Sequence, residues 1–381
     1  MRRALMITAA VAALVVLGVP AASASATWAV QPTPTPFHGV DGMLEAVSCL
    51  SADNCFAVGG YTSPFAQVTL AEHWNGTKWA IRATPNPSGA TFSNLDGISC
   101  TAATDCTAVG EYESGTGFTT LPLAEHWNGR AWTIQAMPAP SGGFGINVSA
   151  VACPSAASCT AVGWYFKQSG PGLTLAEHWN GNTWAVQPMP SPSPVASSAQ
   201  LYGVSCTAPG TCKAVGFFHR AGARVDVTLA ESLNAGTWRV RSTRGPSATP
   251  GELRGVSCLA RNDCIAVGTS GTGAALAEHW DGSAWTVQAT PGPPDGILNG
   301  ISCTSAANCV AVGNAPVTGI NEAALAESWD GTAWTVEATA SPVAEEQLNG
   351  VSCTSASICT AAGLHIQTFT HGSSPLAEQR S

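Results

Sequence analysis

The amino-acid sequence predicts an all-β fold, and three observations indicate it. One unit of about 50 residues recurs seven times along the 381-residue chain, which is the pattern of a repeat architecture. Only 10% of the residues are charged, whereas the 40 glycines and 25 prolines suit short strands and tight turns. No segment shows a sustained 3.6-residue apolar period.

Each repeat supplies four strand-like segments, here called A to D. In the sixth repeat these segments are 298–303, 309–313, 324–329 and 333–337, and an Asp-Gly turn joins the last two. Asn-Gly or Asp-Gly between apolar segments is the strongest short-range hairpin signal. Four antiparallel strands, repeated seven times, predict a seven-bladed β-propeller.

The chain ends predict how the ring closes. The last repeat lacks its Trp-containing strand D, and the matching segment lies around Trp28 near the N-terminus. We therefore expect 27–36 to complete blade 7 together with 348–381, so that 27–381 forms one domain without an open sheet edge.

The N-terminus predicts export. Arg2 and Arg3 precede an apolar run over 4–19, and small residues up to Ala26 offer a cleavage site, so 1–26 is predicted to be a signal peptide. No other segment is long and apolar enough to predict a membrane anchor. Removing two arginines changes the formal net charge from −9 to −11, and an acidic chain is a poor non-specific ligand of nucleic acid. We predict a secreted, extracellular monomer.

The 14 cysteines form seven pairs, each with five intervening residues. An even number of cysteines in an exported chain predicts disulfides, whereas zinc needs four ligands and no histidine recurs near the pairs. In the chain-entropy model each small loop contributes only ~2 kcal/mol, so we expect local links on hairpins that do not define the fold. The pairs are Cys49/Cys55, Cys100/Cys106, Cys153/Cys159, Cys206/Cys212, Cys258/Cys264, Cys303/Cys309 and Cys353/Cys359.

A resemblance to a known family supports the same architecture. The first repeat contains Gly59, Gly60 and Tyr61, then Trp74 before an Asn-Gly turn, then Trp79. This order resembles a kelch repeat, which implies a β-propeller with a tryptophan in the outer strand of each blade. The cysteine pair is an addition to the usual kelch pattern.

The loops predict where recognition occurs. The A–B and C–D connections hardly vary between repeats, whereas the B–C and D–A connections vary in length and content, so we expect recognition on the face that they form, the variable face. In repeats three and four, neighbouring B–C loops are predicted to carry aromatic and cationic side chains that suit sugar stacking or contact with a partner. Alternatively, Tyr165 and Phe218 occupy the tyrosine position of the repeat and pack within their blades. The candidate binding residues are Trp164, Tyr165, Lys167, Phe217, His219, Arg220 and Arg224.

A basic cluster lies in the same sector of the chain. With three acidic residues between positions 213 and 261, its local charge is +5, which can attract an anionic partner such as a cell-wall polymer or can simply be solvated surface. Its members are Lys213, Arg220, Arg224, Arg239, Arg241, Arg244, Arg254 and Arg261.

One glutamate recurs in every repeat. Paired carboxylates perform acid–base chemistry in glycosidases, but seven equivalent copies favour a structural role, such as hydrogen bonding between strands or blades. A non-repeat acidic pair or histidine cluster converging at the channel mouth would instead favour an enzyme. The seven are Glu72, Glu125, Glu177, Glu231, Glu278, Glu327 and Glu378.

These observations together predict a non-catalytic binding module for an extracellular glycan or protein. We predict no catalytic residue, no cofactor and no metal, since no spacing joins the non-repeat histidines as ligands. The alternatives are an exported hydrolase or oxidase on the same scaffold, and a purely structural extracellular protein.

Overall fold

The computed structural model describes residues 26–36, 40–115, 119–168, 170–190, 192, 196–220, 222, 226–241, 243, 251–317, 320–340, 345–366 and 372–381. Over these ranges 28 strands form seven four-stranded antiparallel sheets. The all-β, seven-bladed prediction is therefore confirmed. No helix in the described ranges is long and apolar enough to cross a membrane.

The strands follow the chain from the inside of each blade to its outside. Blade 1 contains β2 (Val40–Ser51), β3 (Asn54–Thr62), β4 (Gln67–Trp74) and β5 (Trp79–Ile81). Blade 2 contains β6 (Ala90–Ala102), β7 (Asp105–Ser114), β8 (Thr120–Trp127) and β9 (Trp132–Gln135). Blade 3 contains β10 (Gly143–Ser155), β11 (Ser158–Lys167), β12 (Gly172–Trp179) and β13 (Trp184–Val186). Blade 4 contains β14 (Ala196–Ala208), β15 (Thr211–Arg220), β16 (Asp226–Asn234) and β17 (Thr237–Arg241).

The remaining three blades repeat this order. Blade 5 contains β18 (Gly251–Ala260), β19 (Asp263–Ser270), β20 (Ala275–Trp280) and β21 (Trp285–Gln288). Blade 6 contains β22 (Ile297–Ser305), β23 (Asn308–Val317), β24 (Ile320–Trp329) and β25 (Trp334–Glu337). Blade 7 contains β26 (Glu346–Cys353), β27 (Cys359–Ile366) and β28 (Ser373–Arg380), completed by β1 (Trp28–Gln31).

The pairing of β1 with β28 closes the ring as predicted. Trp28 lies opposite Arg380, and the backbones of Thr27 and Ser381 exchange two further hydrogen bonds. The Trp28 indole also donates to Glu337 of blade 6 at 2.9 Å, and Arg380 forms a two-point ion pair with the same carboxylate. The N-terminal strand therefore contacts both blade 7 and its neighbour.

The hydrophobic core consists of seven clusters, one at each interface between blades. At the first interface Val58 and Ala71 of blade 1 pack against Leu95, Ile98 and Leu123 of blade 2. Because strand side chains alternate between two faces, each blade contributes one apolar face to each neighbour. In the described ranges every core cluster is shared by two blades, so stability depends on the complete ring.

All seven predicted disulfides are formed, on the face opposite the variable loops. Each bridges the two strands of an A–B hairpin, as in Cys49 and Cys55, whose Cα atoms lie 4.0 Å apart. The described residues include no free cysteine. The predicted pairing is therefore confirmed.

The second cysteine of each pair also lies in the core between two blades, a contact that the sequence did not predict. Each of these seven cysteines is at most 4% exposed and belongs to a different cluster between blades. The physical reason is that strand B lies between strands A and C, so its alternate side chains meet the neighbouring blade. The disulfides therefore add packing between blades to the closure of each hairpin. The buried cysteines are Cys55, Cys106, Cys159, Cys212, Cys264, Cys309 and Cys359.

A serine links neighbouring blades on the same face. The serine before the first cysteine accepts a hydrogen bond from the corresponding cysteine N–H of the next blade, as Ser302 does from Cys353 at 3.0 Å. In blade 3 this serine is replaced by Ala152. Blade 3 therefore lacks this hydrogen bond to its neighbour.

The B strands extend further toward the variable face than predicted. In blade 6, β23 continues to Val317 instead of ending at residue 313. In blade 3, Trp164 pairs with Thr174, so the predicted B–C loop residues belong to β11. The aromatic residues there favour extended backbone, and the register with strand C continues without interruption.

Candidate binding site at the ring axis

The A strands form the inner wall of the ring, where each contacts the A strands of both neighbours. Each A strand has a bulge. In β6, Leu95 pairs with Gly110 and Gly97 with Val109, so that Asp96 has no partner in the register. A bulge bends the strand and redirects the unpaired side chain. The seven bulged residues are Glu45, Asp96, Ser149, Tyr202, Arg254, Asn299 and Asn349.

The bulge explains the glycine that recurs in strand B. A Cβ atom on Gly110 would lie 2.1 Å from the backbone oxygen of Asn94, and one on Gly59 would lie equally close to that of Met43. Only glycine permits this approach of the two strands. The glycine that carries the kelch resemblance is therefore required by the geometry of the inner wall.

The bulged side chains are joined by hydrogen bonds between blades. Asn349 of blade 7 donates to Glu45 of blade 1 at 2.9 Å, and Arg254 of blade 5 donates to Asn299 of blade 6 at 3.1 Å. Arg254 also lies 3.5 Å from the Glu252 carboxylate. The axis is thus surrounded by groups that can donate and accept hydrogen bonds, which is a property of sites for polar ligands.

Three carboxyl groups converge in the sector of blades 1 and 2. Asp96 accepts hydrogen bonds from the Glu111 carboxyl and from Asn94. Asn147 of blade 3 donates to Glu111 at 2.8 Å and lies 3.3 Å from Asp96. Glu45 adds its charge to this group, as its electrostatic coupling to Asp96 and Glu111 shows.

Burial keeps part of this group protonated. Burial, with the charge of Asp96 as the second cause, raises the pKa of Glu45 to about 7 and that of Glu111 well above its usual value. Burial also raises the pKa of Asp96, although hydrogen bonds from Glu111, Asn94 and Asn147 oppose the shift. The raised pKa values favour protonation of this pair, in which the Glu111 carboxyl donates its proton to Asp96. Nothing within the described ranges groups three or more His, Cys, Asp or Glu in a metal-binding arrangement.

Aromatic side chains occupy the adjoining sector of blades 3 and 4. Trp164 and Phe217 hold the strand B position that Glu111 holds in blade 2, directly after the recurrent glycine. Trp164 packs edge-on against Phe166 with ring centroids 5.2 Å apart, and Phe217 lies 5.7 Å from the bulged Tyr202. Burial, followed by the charge of Glu252, raises the pKa of Tyr202 to about 12, so its hydroxyl remains a neutral hydrogen-bonding group.

The structure separates the other predicted site residues. Tyr165 packs into the core between blades 2 and 3, and Phe218 packs into the next core, as the alternative interpretation expected. Lys167 and Arg220 are exposed at the ends of β11 and β15. His219 bonds Asp226 at 2.7 Å through Nδ1. Arg224 lies outside the described residues.

A cleft of about 370 Å³ opens on the variable face beside the aromatic sector. Its lining includes Tyr165 and Lys167 together with Pro188, Met189 and Pro190 of the blade 3–4 linker. This volume lies within the range of small-molecule sites, about 300–1,000 Å³. The cleft therefore extends the possible contact surface from the axis outward over blade 3.

The recurrent glutamates lie between the blades, away from this site. All seven side chains are fully buried. The predicted hydrogen bonding is seen for Glu378, which accepts from the Ala340 N–H at 3.5 Å, and for Glu125, Glu231 and Glu278, each of which meets a threonine hydroxyl of the preceding blade. Both carboxyl oxygens of Glu72, Glu177 and Glu327 lack a partner within the described part of the chain. Burial raises the pKa of these carboxyl groups to about 7 or 8, so protonation, rather than hydrogen bonding of the anion, accommodates them.

The acidic group was missed in the sequence because Glu111 and Asp96 occupy variable repeat positions. A sequence signal that could have found them is the change of residue type between repeats. The position of Glu111 in blade 2, for example, is occupied by Gly60 in blade 1 and by Trp164 in blade 3. The basic cluster is likewise divided by the fold. Arg254 lies at the axis, and Lys213, Arg241 and Arg261 lie near the opposite face.

Comparisons with known proteins show the fold alone. No family model and no curated protein matches the chain, so the kelch resemblance stays a prediction. Among solved structures, YCF48 bound to a D1 peptide is 12% identical over 95% of this chain and 99% of its own, with a TM-score of 0.56. A protein of unknown function from Dyadobacter fermentans is 8% identical over 94% and 98%, with a TM-score of 0.55. The PL25 polysaccharide lyase, an ulvan lyase bound to a GlcA(1-4)Rha3S saccharide, is 8% identical over 89% and 93%, with a TM-score of 0.56.

Proposed function

We propose that the protein is a secreted binding module that recognises a glycan where the variable face meets the ring axis. The observation that carries this proposal is the position of Asn147, which pairs in register with Trp164 and donates to Glu111. Aromatic surface and amide–carboxyl groups therefore adjoin at one point. A sugar needs both, because its C–H face packs against rings while its hydroxyls donate and accept hydrogen bonds.

The wider surroundings support this choice. The half-buried Tyr202 and Phe217 continue the aromatic surface into blade 4, and the cleft beside Lys167 provides further contact area. Seven disulfides favour an oxidising compartment, in agreement with the proposed signal peptide at 1–26. Of the proteins that share the fold, the ulvan lyase is bound to a saccharide and YCF48 to a peptide, so a peptide is the second class of ligand to test.

The carboxyl groups favour a hydrolase as the second candidate function, because they form the non-repeat acidic group expected of an enzyme. Their geometry favours binding instead. Catalytic carboxyls of glycosidases stand about 5–9.5 Å apart on either side of the scissile bond, whereas Asp96 and Glu111 hydrogen-bond each other directly. A directly bonded pair leaves no room for a sugar between the two groups.

Glycan-array binding of the mature chain, 27–381, tests the proposal. We expect Trp164→Ala to weaken glycan binding by ~2 kcal/mol or more, because the ring is proposed as an interface anchor, and to lower the free energy of unfolding by only ~1 kcal/mol. Phe65→Ala is the matched control, because Phe65 is an aromatic residue in blade 1 that is 95% exposed on the same face. Unchanged glycan binding by the Trp164 variant would refute this site.

A parallel assay separates binding from hydrolysis. The bound glycan is incubated with wild-type protein and with Asp96→Asn, and its length is followed by chromatography. We expect no shortening with either protein. Cleavage by the wild type that Asp96→Asn abolishes would establish the hydrolase instead.

A further inference from the structure

A second site lies between blades 4 and 5, on the face opposite the variable loops. A cleft of about 100 Å³ there is lined by Cys212 and Cys258, which belong to two different disulfides. Asn234 and Gly282, at the C–D turns of the two blades, complete this part of its lining. This volume is well below the range of drug-sized sites, about 300–1,000 Å³, so it suits a small chemical group.

Three departures from the repeat meet in this cleft. Lys213 stands where other blades have threonine or an apolar residue, such as Thr107 or Phe56. Arg241 stands where four other blades have glutamine, for example Gln187, and Arg261 stands where five have alanine. Because the three positions lie on different strands or loops of two blades, only the ring brings the cations together.

Lys213 is an unusual buried cation. Its side chain is only 7% exposed, its ammonium donates to the Ser232 hydroxyl at 2.7 Å, and it lies 4.3 Å from the ring centre of Trp280. An ammonium has three donors, and a buried charge ordinarily has an opposite charge beside it. Among the described residues that line the cleft, none is Asp or Glu.

Neighbouring donors are also unpaired. In blades 1, 2, 3 and 6 the last tryptophan of strand C donates to a backbone oxygen of the A–B hairpin, as Trp329 does to Ala306 at 3.1 Å. The indole N–H of Trp280, the equivalent residue of blade 5, has no partner in the described part of the chain. The same holds for Nε of Arg241. The cleft thus collects donors and positive charge, while no carboxylate stands among the described residues that line it.

We propose that this cleft binds a tetrahedral oxyanion, a phosphate or sulfate group, held by Lys213, Arg241 and Arg261. Sulfate only accepts hydrogen bonds and phosphate mainly accepts them, and charge-assisted bonds to Lys and Arg are the strong ones. The group is either a free ion or an ester carried by a polymer. The proposal is independent of the glycan site at the axis and places an anionic ligand on the other face.

The titration of Lys213 agrees with this geometry. Burial, followed by the charges of Arg241 and Arg261, lowers the pKa of Lys213 to about 8. A bound anion favours the charged form, so binding is coupled to proton uptake. Affinity should therefore decrease as pH rises above 8.

The test measures sulfate and phosphate binding by calorimetry and by melting temperature, with sodium chloride at equal ionic strength as the reference. The variants Lys213→Thr, Arg241→Gln and Arg261→Ala each introduce a residue found at that position in other blades, so they are expected to fold. We expect each to weaken anion binding about tenfold or more, as loss of a charge-assisted bond predicts. Arg130→Ala is the control, since Arg130 is exposed in a C–D turn on the same face and its loss removes the same charge.

Dextran sulfate and uncharged dextran of equal length distinguish the two sources of the anion. Tighter binding of dextran sulfate than of free sulfate, lost in the same variants, indicates a polymer-borne ester, and equal binding per sulfate indicates a free ion. The proposal is overturned if neither ion binds the wild type, or if the three variants and Arg130→Ala bind alike. Trp164→Ala should leave anion binding unchanged, so failure at one site is distinguishable from failure at the other.

Discussion

Replacing one buried glutamate by glutamine should change how stability depends on pH. Glu125 is fully buried between blades 1 and 2, and burial raises its pKa from 4.5 to about 8, although Thr69 of blade 1 opposes the shift. The Thr69 hydroxyl donates to Thr84 at 2.8 Å, so it is engaged as a donor and suits a protonated carboxyl that donates to it. Glutamine has the shape of that protonated acid and can donate as well.

The magnitude follows from proton linkage. Between pH 4.5 and 8 the folded protein holds one more proton at Glu125 than the unfolded chain does, so the free energy of unfolding falls as pH rises. The slope is ~1.4 kcal/mol per pH unit, or ~3 kcal/mol between pH 5 and 7, from this residue. Glu125→Gln removes this contribution. Between pH 5 and 7 the free energy of unfolding of the variant should therefore fall by ~3 kcal/mol less than that of the wild type.

Urea unfolding at pH 5, 6 and 7, with the disulfides intact, measures the difference. Glu113→Gln is the control, because Glu113 lies partly exposed at the end of β7 in the same blade. Equal pH slopes for the wild type and Glu125→Gln would show that the carboxyl is ionised in the folded protein. Destabilisation of the variant at pH 7 would show that the Glu125 carboxylate accepts hydrogen bonds that glutamine cannot replace. Either result would refute the reasoning.

Further predictions concern the closure of the ring and the links around it. Deleting 27–36 should abolish cooperative melting and cause aggregation, because it exposes the edge of β28 and removes Trp28 from the last core cluster, whereas a chain beginning at residue 27 should melt normally. A cooperative melt of the shortened chain would contradict this. Ser302→Ala should lower the free energy of unfolding by ~1–2 kcal/mol because it leaves the Cys353 N–H without its acceptor, and Ala152→Ser should raise it by ~1 kcal/mol by supplying the missing link of blade 3. Urea denaturation checks both, and no change in either variant would show that water satisfies these groups equally well.

The sequence alone determined the architecture because a repeat carries its information locally. Each hairpin has its own turn signal and its own cysteine pair, and the separation of Cys49 from Cys55 requires only that two adjacent strands pair. The missing last strand and the unmatched Trp28 likewise determined how the ring closes. These features need no knowledge of how one blade meets the next. The burial of the second cysteines, by contrast, depends on how neighbouring blades pack together. The disulfide pairing was therefore predictable from the sequence, and the packing of the disulfides was not.

Only the tertiary structure decided which unusual residues act together. Asp96, Glu111 and Asn147 come from two blades, and each is an ordinary surface-compatible residue within its own repeat. Lys213 and Arg261 likewise belong to neighbouring blades. In a propeller, residues about 50 positions apart become neighbours across an interface. The alternation of side chains along each strand then decides which face of the blade they reach, and a bulge or a longer strand shifts that alternation.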